Sequence, residues 1–225
     1  MTLGAGFAAW SVVFTECGDG DLRVASRGAG EPLELVQARI LALLGVGSVV
    51  VARQVHGADV VVVNETVPGY VTGVAEADGV ATGARDVAVG VHVADCLPIA
   101  VGGAGGVAML HGGWRGLAGG VVAEGVRALR ALGARGELEA LIGPGAGGCC
   151  YETGDEVRAV FRRYRASRGR LLDLKVVAGA QLREAGVTSV RDLAICTICG
   201  ERGRLFSHRR DGPATGRQGG FAWLA

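Results

Sequence analysis

The chain has 225 residues, which is enough for one large domain or two small ones around a buried core. Its net charge is +1, so no charge imbalance favours nucleic acid or an anionic membrane as a partner. No apolar run approaches the length of a membrane span and no secretory segment is recognisable. We therefore expect a cytoplasmic protein whose six cysteines are thiols, and the composition leaves its oligomeric state open.

Hydrophobic periodicity predicts the elements of the N-terminal half. Residues 12–14 and 22–25 are predicted to form an opening β-ribbon. A helix follows from Pro32 to about Gly45, because Leu33, Val36, Ile40 and Leu44 recur at helical spacing. Strands are predicted at residues 48–56, 60–63, 87–93, 97–101 and 107–110.

Helices dominate the predicted elements of the C-terminal half. A long helix over residues 115–132 places one apolar side inward, with Leu117, Val121, Val122, Val126, Leu129 and Leu132. Residues 138–142 are a predicted strand, a capping box at 153–156 opens a helix, and another helix covers 172–185. The irregular order of strands and helices predicts an α+β fold, one layered domain over residues 1–225 with mixed β-sheets flanked by helices.

A hairpin brings a cysteine and a histidine together in the predicted fold. Residues 94–111 contain two apolar runs around a Gly-rich turn, and symmetric folding about Gly103 and Ala104 places Cys96 opposite His111. A thiolate and an imidazole at that separation can share a tetrahedral metal, with His56 approaching from a neighbouring strand. Three protein ligands leave a fourth position open, which is typical of catalytic zinc.

The same residues admit other interpretations. Cys96 can be a small buried side chain beside a structural His111. His92, four residues before Cys96, is a competing ligand if the strand is unbroken. Cys96 can also be a nucleophile with His111 as its base, as in a Cys–His hydrolase or amidase. A metal-stabilised binding module without activity is the non-enzymatic alternative.

Four further segments contain chemically suggestive residues. Residues 112–116 lead into a helix, where Arg115 would add a bidentate donor for an anion. The Gly-rich loop at 142–152 lacks the lysine of a P-loop, and it is either a substrate-lining loop or a tight turn. Cys196 and Cys199 form a single CxxC, which fits redox work or a structural metal. Residues 207–210 and Arg217 concentrate positive charge that would hold a phosphate or carboxylate.

Six motifs follow one another in a fixed order along the chain. They are Arg53-Gln54-Val55-His56-Gly57, Ala94-Asp95-Cys96-Leu97-Pro98, His111-Gly112-Gly113-Trp114-Arg115-Gly116, Gly143-Pro144 with Cys149-Cys150-Tyr151-Glu152, Cys196-Thr197 and Phe206-Ser207-His208-Arg209-Arg210. Together they resemble the purine nucleoside phosphorylase family of laccase-domain proteins, also called polyphenol oxidases, which includes the bacterial peptidoglycan editing factor. The resemblance extends from about residue 50 to the C-terminus.

The resemblance implies a zinc enzyme with small-molecule partners, a nucleoside and phosphate. The implied activities are phosphorolysis of adenosine, inosine and S-methyl-5′-thioadenosine to free base and (methylthio)ribose 1-phosphate, and deamination of adenosine. The implied ligands of one zinc per chain are His56, Cys96 and His111, while His92 has no counterpart in the motifs. Copper is a possible substitute metal, but four histidines cannot hold the trinuclear copper cluster of a true laccase.

Roles for the remaining motif residues complete the prediction. Catalytic roles are assigned to Cys96, Asp95 and Arg115, with Asp95 beside the ligand as a candidate for proton transfer or ligand orientation. Substrate binding is assigned to Gln54, Ser207, His208, Arg209 and Arg210. The chain departs from the family at two positions: Cys17 stands where the family usually has an arginine, and Val93 where a threonine is usual. A peptidoglycan precursor remains an alternative substrate.

Overall fold

Two six-stranded mixed sheets contain most of the regular structure. The computed structural model describes residues 3–23, 32–65 and 68–225. The strands are β1 (Leu3–Gly6), β2 (Trp10–Phe14), β3 (Ser48–Arg53), β4 (Val60–Val62), β5 (Gly69–Glu76), β6 (Gly79–Thr82), β7 (Val87–Val93), β8 (Leu97–Ala104), β9 (Gly106–Gly112), β10 (Arg135–Ile142), β11 (Ser167–Arg168), β12 (Leu171–Leu172), β13 (Ser189–Asp192) and β14 (Gln218–Leu224). The helices are α1 (Leu33–Leu44), α2 (Trp114–Gly119), α3 (Val121–Ala131), α4 (Asp155–Val160), α5 (Leu174–Glu184) and α6 (His208–Asp211).

Each sheet mixes parallel and antiparallel pairs. The first sheet has the order β1-β2-β14-β7-β3-β5, and the second has the order β13-β10-β8-β9-β6-β4. In the first sheet β3 pairs in parallel with β5 and β7, whereas β14 is antiparallel to β2 and β7. In the second sheet β8 and β9 form an antiparallel hairpin beside β10 and β6. The predicted α+β class with mixed sheets is confirmed.

Three apolar clusters stack the elements in layers. Helix α1 covers the outer face of the first sheet, the two sheets face each other, and helices α3 and α5 cover the second sheet. Strand β3 shows how alternation builds this order, because Val49 and Val51 contact the α1 layer while Val50 faces the other sheet. Between the sheets a Cβ at Gly102 would lie 2.7 Å from the Trp10 ring, so this close packing requires glycine.

Several predicted elements are confirmed by the structure. Helix α1 covers residues 33–44 and ends at Gly45, whose φ of 66° is the left-handed conformation that glycine adopts easily. Strand β7 has the predicted bounds, and a strand overlaps each of the other predicted strand ranges from residue 48 to 142; β8, β9 and β10 extend beyond the predicted ends. Among the described residues, no helix combines the length and apolarity needed to cross a membrane.

Other predictions are wrong, each for a local reason. The opening strand β2 pairs with β1 and β14 rather than with residues 22–25, of which 22 and 23 form no strand and 24 and 25 lie outside the described residues. The predicted helix at 115–132 is two helices, because Gly120 has a φ of 93°. The capping box is absent: the N-cap of α4 is Gly154, with no side-chain cap, so Thr153 lies one position too early.

Candidate functional site

Three side chains from separate parts of the chain meet at one end of the sheets. The ligand atoms of His56, Cys96 and His111 all lie within 4.8 Å of one another. His56 follows β3, Cys96 directly precedes β8, and His111 belongs to β9. The two imidazoles meet edge to face with ring centroids 4.8 Å apart. The structure thus brings together the three residues that the sequence predicts as metal ligands.

The hairpin of β8 and β9 brings Cys96 near His111 with a strand register that differs from the predicted one. His111 opposes Pro98 and Gly103 opposes Gly106, so the turn lies at Ala104 and Gly105. Continued by one residue, this register leaves Cys96 diagonal to His111 rather than directly opposite. Because the shift is two residues, it keeps the thiol and the imidazole on the same face of the hairpin.

A buried carboxylate fixes both histidine segments. Asp78 accepts the backbone N–H groups of Val55, His56 and Gly57 at 3.2, 2.9 and 2.6 Å. Its Oδ1 also lies 2.7 Å from Nδ1 of His111. Burial by itself would raise the pKa of Asp78, but the hydrogen bonds from His111 and the loop amides lower it. As a carboxylate it can only accept, so His111 donates through Nδ1 and keeps Nε2 for a metal.

No motif in the sequence points to Asp78. The available signal was an ionisable residue directly before the apolar run of β6, at residues 79–82. Such a position is compatible with an ordinary turn, and only the pairing of β6 with β9 places the carboxylate beside His111.

Electrostatics favour a thiolate at Cys96. Burial raises the pKa of this thiol, but His111 and His56 outweigh that effect and bring the pKa to about 6. Burial lowers the pKa of His111, whereas Cys96 and Asp78 raise it to about 9. The thiolate is the form of cysteine that binds metals and attacks electrophiles, so the pair is suited to either role.

The donor set fits a mononuclear metal ion. Two imidazoles and one thiolate with an open fourth position match catalytic zinc, and the Asp78–His111 contact is the carboxylate–histidine arrangement that orients such ligands. The same His₂Cys set also suits copper. The residues present therefore fit a single ion.

A pocket of about 590 Å³ opens above these three residues, a size typical of small-molecule sites. Besides the three ligands, its lining includes Gln54, His92, Asp95, Trp114, Arg115, Tyr151, His208, Arg209 and Arg217. Two exposed guanidinium groups lie against aromatic rings in this wall: Arg115 is 4.4 Å from the Trp114 centroid and Arg209 is 5.1 Å from that of Tyr151. The pocket lining thus combines a metal-type donor set with basic groups.

Asp95 holds the loop that carries Cys96. Its Oδ1 accepts the hydroxyl of Thr197 at 2.5 Å, and its Oδ2 accepts the backbone N–H of Arg209 at 2.6 Å. Asp95 and His56 both have positive φ, 89° and 61°, which is unusual for residues other than glycine. Backbone strain of this kind is often concentrated at functional sites.

Three residues predicted to bind substrate have their polar groups engaged elsewhere. Gln54 spans the backbone of His92, donating to its carbonyl and accepting from its N–H, each at 2.8 Å. Ser207 is fully buried and caps α6 by accepting the N–H of Arg210. The guanidinium of Arg210 donates to the carbonyls of Thr197 and Leu205 and to Asp211. Ser207 and Arg210 are absent from the pocket lining, whereas His208 and Arg209 belong to it.

His92 lines the pocket but does not join the ligand group. Its Nε2 lies 2.8 Å from the Tyr70 hydroxyl. Burial and the charge of Arg217 lower the pKa of His92 to about 4, against a smaller opposing effect of Asp21. The ring is therefore neutral near pH 7 and shares a hydrogen bond with the Tyr70 hydroxyl. The Nε2 atom of His92 is thus engaged by Tyr70 and does not belong to the group of metal donors.

The fold and this pocket define a layered α+β protein with a His₂Cys donor set in the lining of a ligand-sized cavity. Residues 25–225 match the family described as multi-copper polyphenol oxidoreductase laccase, and the chain belongs to that family. The resemblance predicted from the six motifs is confirmed.

Relatives within this family bear a different enzymatic name. A purine nucleoside phosphorylase of Aquifex aeolicus is 43% identical over 138 residues, which is 60% of this chain and 66% of that protein, just under two thirds of its length. One of Streptomyces coelicolor is 38% identical over 186 residues, 78% of this chain and 75% of that protein. The crystal structure of the hypothetical protein YfiH of Bacillus licheniformis superposes with a TM-score of 0.84 at 24% identity, covering 96% of this chain and 93% of that one. That last likeness shows the fold alone.

Proposed function

We propose that this protein is a zinc-dependent purine nucleoside phosphorylase that also deaminates adenosine. Its proposed substrates are adenosine, inosine and S-methyl-5′-thioadenosine, which phosphate cleaves to free base and (methylthio)ribose 1-phosphate. The observation that carries the proposal is the convergence of His56, Cys96 and His111 in the lining of a pocket that also contains Arg115 and Arg209. The relatives named purine nucleoside phosphorylase support the choice of substrate class.

One zinc ion held by His56, Cys96 and His111 would supply Lewis-acid chemistry and activate a water molecule in the pocket. Asp78 contributes by fixing the tautomer of His111 and the loop that carries His56. Asp95 contributes by orienting the loop before Cys96, since both its oxygens already accept hydrogen bonds. We therefore assign Asp95 a positioning role in this mechanism.

The phosphate nucleophile is proposed to bind Arg115 and Arg209, with His208 beside them. Both guanidinium groups are exposed to the pocket and lie over aromatic rings, which restricts their motion before a ligand arrives. Guanidinium groups bind phosphate bidentately, which positions it for attack on the ribose as well as neutralising its charge.

Chromatography of adenosine incubated with zinc-loaded protein in phosphate buffer tests the proposal. We expect adenine to appear only with phosphate present, and inosine from deamination. His56→Asn should abolish both products, because it removes a ligand while asparagine tolerates the positive φ at this position. His92→Ala is the matched control and should retain its zinc. The absence of free base above a no-enzyme reaction, with zinc bound, would contradict phosphorolysis.

A Cys–His hydrolase is the second candidate, favoured by the lowered pKa of Cys96. Iodoacetamide labelling separates the two functions. A zinc-bound thiolate should resist alkylation until a chelator is added, whereas a catalytic nucleophile should be labelled readily in the zinc-loaded protein. Copper loading followed by a polyphenol assay tests the third alternative, an oxidase activity of copper-substituted protein.

A further inference from the structure

Four cysteines outside the pocket lining gather at one point on the surface. The Sγ atoms of Cys149, Cys150, Cys196 and Cys199 all lie within 4.8 Å of one another, and all four thiols are free. The Cys149 and Cys199 sulfurs are 3.5 Å apart. We call this group the Cys₄ cluster. None of its members lines the pocket above His56.

The spacing of the Cys₄ cluster matches the size of one tetrahedral metal ion. Zinc–sulfur bonds of about 2.3 Å place the four sulfurs of a tetrahedron about 3.8 Å apart. The four sulfur atoms, all within 4.8 Å of one another, need to approach each other by only about 1 Å at most to reach that geometry. A disulfide would require only two converging thiols, whereas here all four converge. Tetrahedral four-sulfur sites select zinc or iron among the common metals.

The backbone around Cys196 is arranged as a turn that supports a thiolate. Gly147 donates its N–H to the Cys196 sulfur at 3.3 Å, and the amides of Ile198 and Cys199 are directed at the same atom. Gly200 donates to the Cys196 carbonyl at 3.0 Å, closing the CxxC turn. A Cβ at Gly200 would lie 2.5 Å from that carbonyl oxygen, so the turn requires glycine.

Main-chain contacts hold the two cysteine pairs beside each other. Gly145 donates to the Ile195 carbonyl at 3.2 Å, and Thr197 donates to the Gly145 carbonyl at 3.0 Å. These bonds align the loop before Cys149 with the segment that contains Cys196. The fold therefore assembles the four thiols without relying on contacts between the thiols themselves.

We propose that the Cys₄ cluster binds a second zinc ion, with all four coordination positions filled by protein sulfur. A closed coordination sphere is typical of structural rather than catalytic zinc. Its structural effect would reach the pocket by two short routes. Tyr151, which follows Cys150, lines the pocket, and Thr197, which follows Cys196, holds the carboxylate of Asp95. The proposal is independent of the substrate, because it concerns metal content alone.

Elemental analysis of protein purified anaerobically with reductant and zinc provides the first test. We expect two zinc ions per chain in the wild type and one in Cys149→Ser/Cys199→Ser, in which both substituted thiols are exposed. His56→Asn should also contain one zinc ion, held by the Cys₄ cluster, because the substitution removes a ligand from the His₂Cys centre. Cys17→Ser is the matched control and should contain two. A wild-type content of one zinc that the double substitution leaves unchanged would overturn the proposal, as would iron in place of the second zinc.

Cobalt substitution of the intact wild type gives a second measurement. Co²⁺ bound by four thiolates shows intense sulfur-to-metal charge-transfer absorption. We expect that absorption to persist in His56→Asn and to be largely lost in Cys149→Ser/Cys199→Ser. This pattern distinguishes the Cys₄ cluster from the His₂Cys centre even if either variant is less stable. Intact masses that show disulfides within the cluster after anaerobic purification would instead contradict a metal site.

Discussion

Among single residues, Asp78 is hydrogen-bonded to two of the three predicted metal ligands, His56 and His111. One carboxylate accepts three loop amides and orients the ring of His111. Each of these donors is buried or partly buried with it, so water cannot replace the carboxylate without structural change. The position of His56 and the tautomer of His111 therefore depend on the same side chain.

Asp78→Asn should weaken zinc binding about 10–100-fold while leaving the three ligands in place. The amide keeps the shape of the side chain, but its NH₂ group must face one of the N–H donors that the carboxylate now accepts. Zinc affinity measured by chelator competition tests this expectation. Asp59→Asn, the same change at an exposed neighbour, is the control and should bind zinc like the wild type. Equal affinities for both variants would contradict the role given to Asp78.

His92 should make the folded state sensitive to acid. Its pKa in the folded protein is about 4, below the ordinary 6.5, so the unfolded chain binds more protons between these values. The stability associated with neutral His92 is present above pH 6.5 and is lost as the pH falls to 4, by about 3 kcal/mol at most.

Urea unfolding of the wild type and His92→Gln, both in chelator, measures this contribution between pH 7 and pH 4. The other titrating groups are common to both proteins, so the difference between the two free energies of unfolding isolates His92. We expect the wild type to lose its advantage as the pH falls. A difference that does not change with pH would show that His92 is protonated in the folded state at its ordinary pKa.

Among the elements, helix α2 packs closely against the two segments that carry the histidine ligands. Helix α2 has only six residues and begins at Trp114, two residues after β9 ends. A Cβ at Gly116 would lie 2.7 Å from the Gly57 carbonyl and 3.2 Å from that of His111. The glycine thus allows α2 to pack directly on the two segments that carry the histidine ligands.

Gly116→Ala should destabilise the protein by about 1–3 kcal/mol and lower its zinc affinity, because backbone atoms must move apart. Gly179→Ala in α5 is the matched control, since its Cβ would meet only the flexible end of Arg183 at 3.3 Å. Alanine favours a helix interior over glycine, so the control should be neutral or more stable. Urea midpoints of the two variants test the contrast, and a stabilised Gly116→Ala would contradict the packing argument.

At the scale of the whole molecule, the pocket lies where loops from both sheets meet. His56 follows a strand of the first sheet, whereas His111 belongs to the second, and Asp78 connects them. A metal bound there couples the two sheets. Because it binds the folded state and not the separated ligands of the unfolded chain, it should add to global stability.

Zinc should therefore raise the melting temperature of the chelator-treated wild type. Free zinc at 100 times its dissociation constant adds about 2.7 kcal/mol for each site. The gain should be smaller in His56→Asn, which lacks one ligand of the centre between the sheets. Differential scanning calorimetry across a zinc titration measures both shifts. Equal gains in the two proteins would indicate that the His₂Cys centre does not bind zinc.

Local sequence patterns predict the elements whose apolar periodicity depends only on neighbouring residues. Helix α1 and strand β7 were predicted at their observed bounds because each repeats apolar residues at the period of its own backbone. The motifs also indicated the His₂Cys donor types. The sequence does not predict strand β14, because Gln218, Gly219 and Gly220 lack the residue pattern of a strand. These residues become a strand by pairing with β2 and β7.

Which polar groups share a site depends instead on how distant elements pack in the folded protein. Ser207 and Arg210 belong to the same basic segment as His208 and Arg209, yet hydrogen bonds within the fold engage the first two away from the pocket. Asp78 shows the converse, because an unremarkable acidic residue becomes the partner of His111 when β6 pairs with β9. Local periodicity encodes which face of an element is buried, but not which distant element covers it. The partners of polar side chains depend on which distant element covers a given face, so they are established only when the sheets assemble.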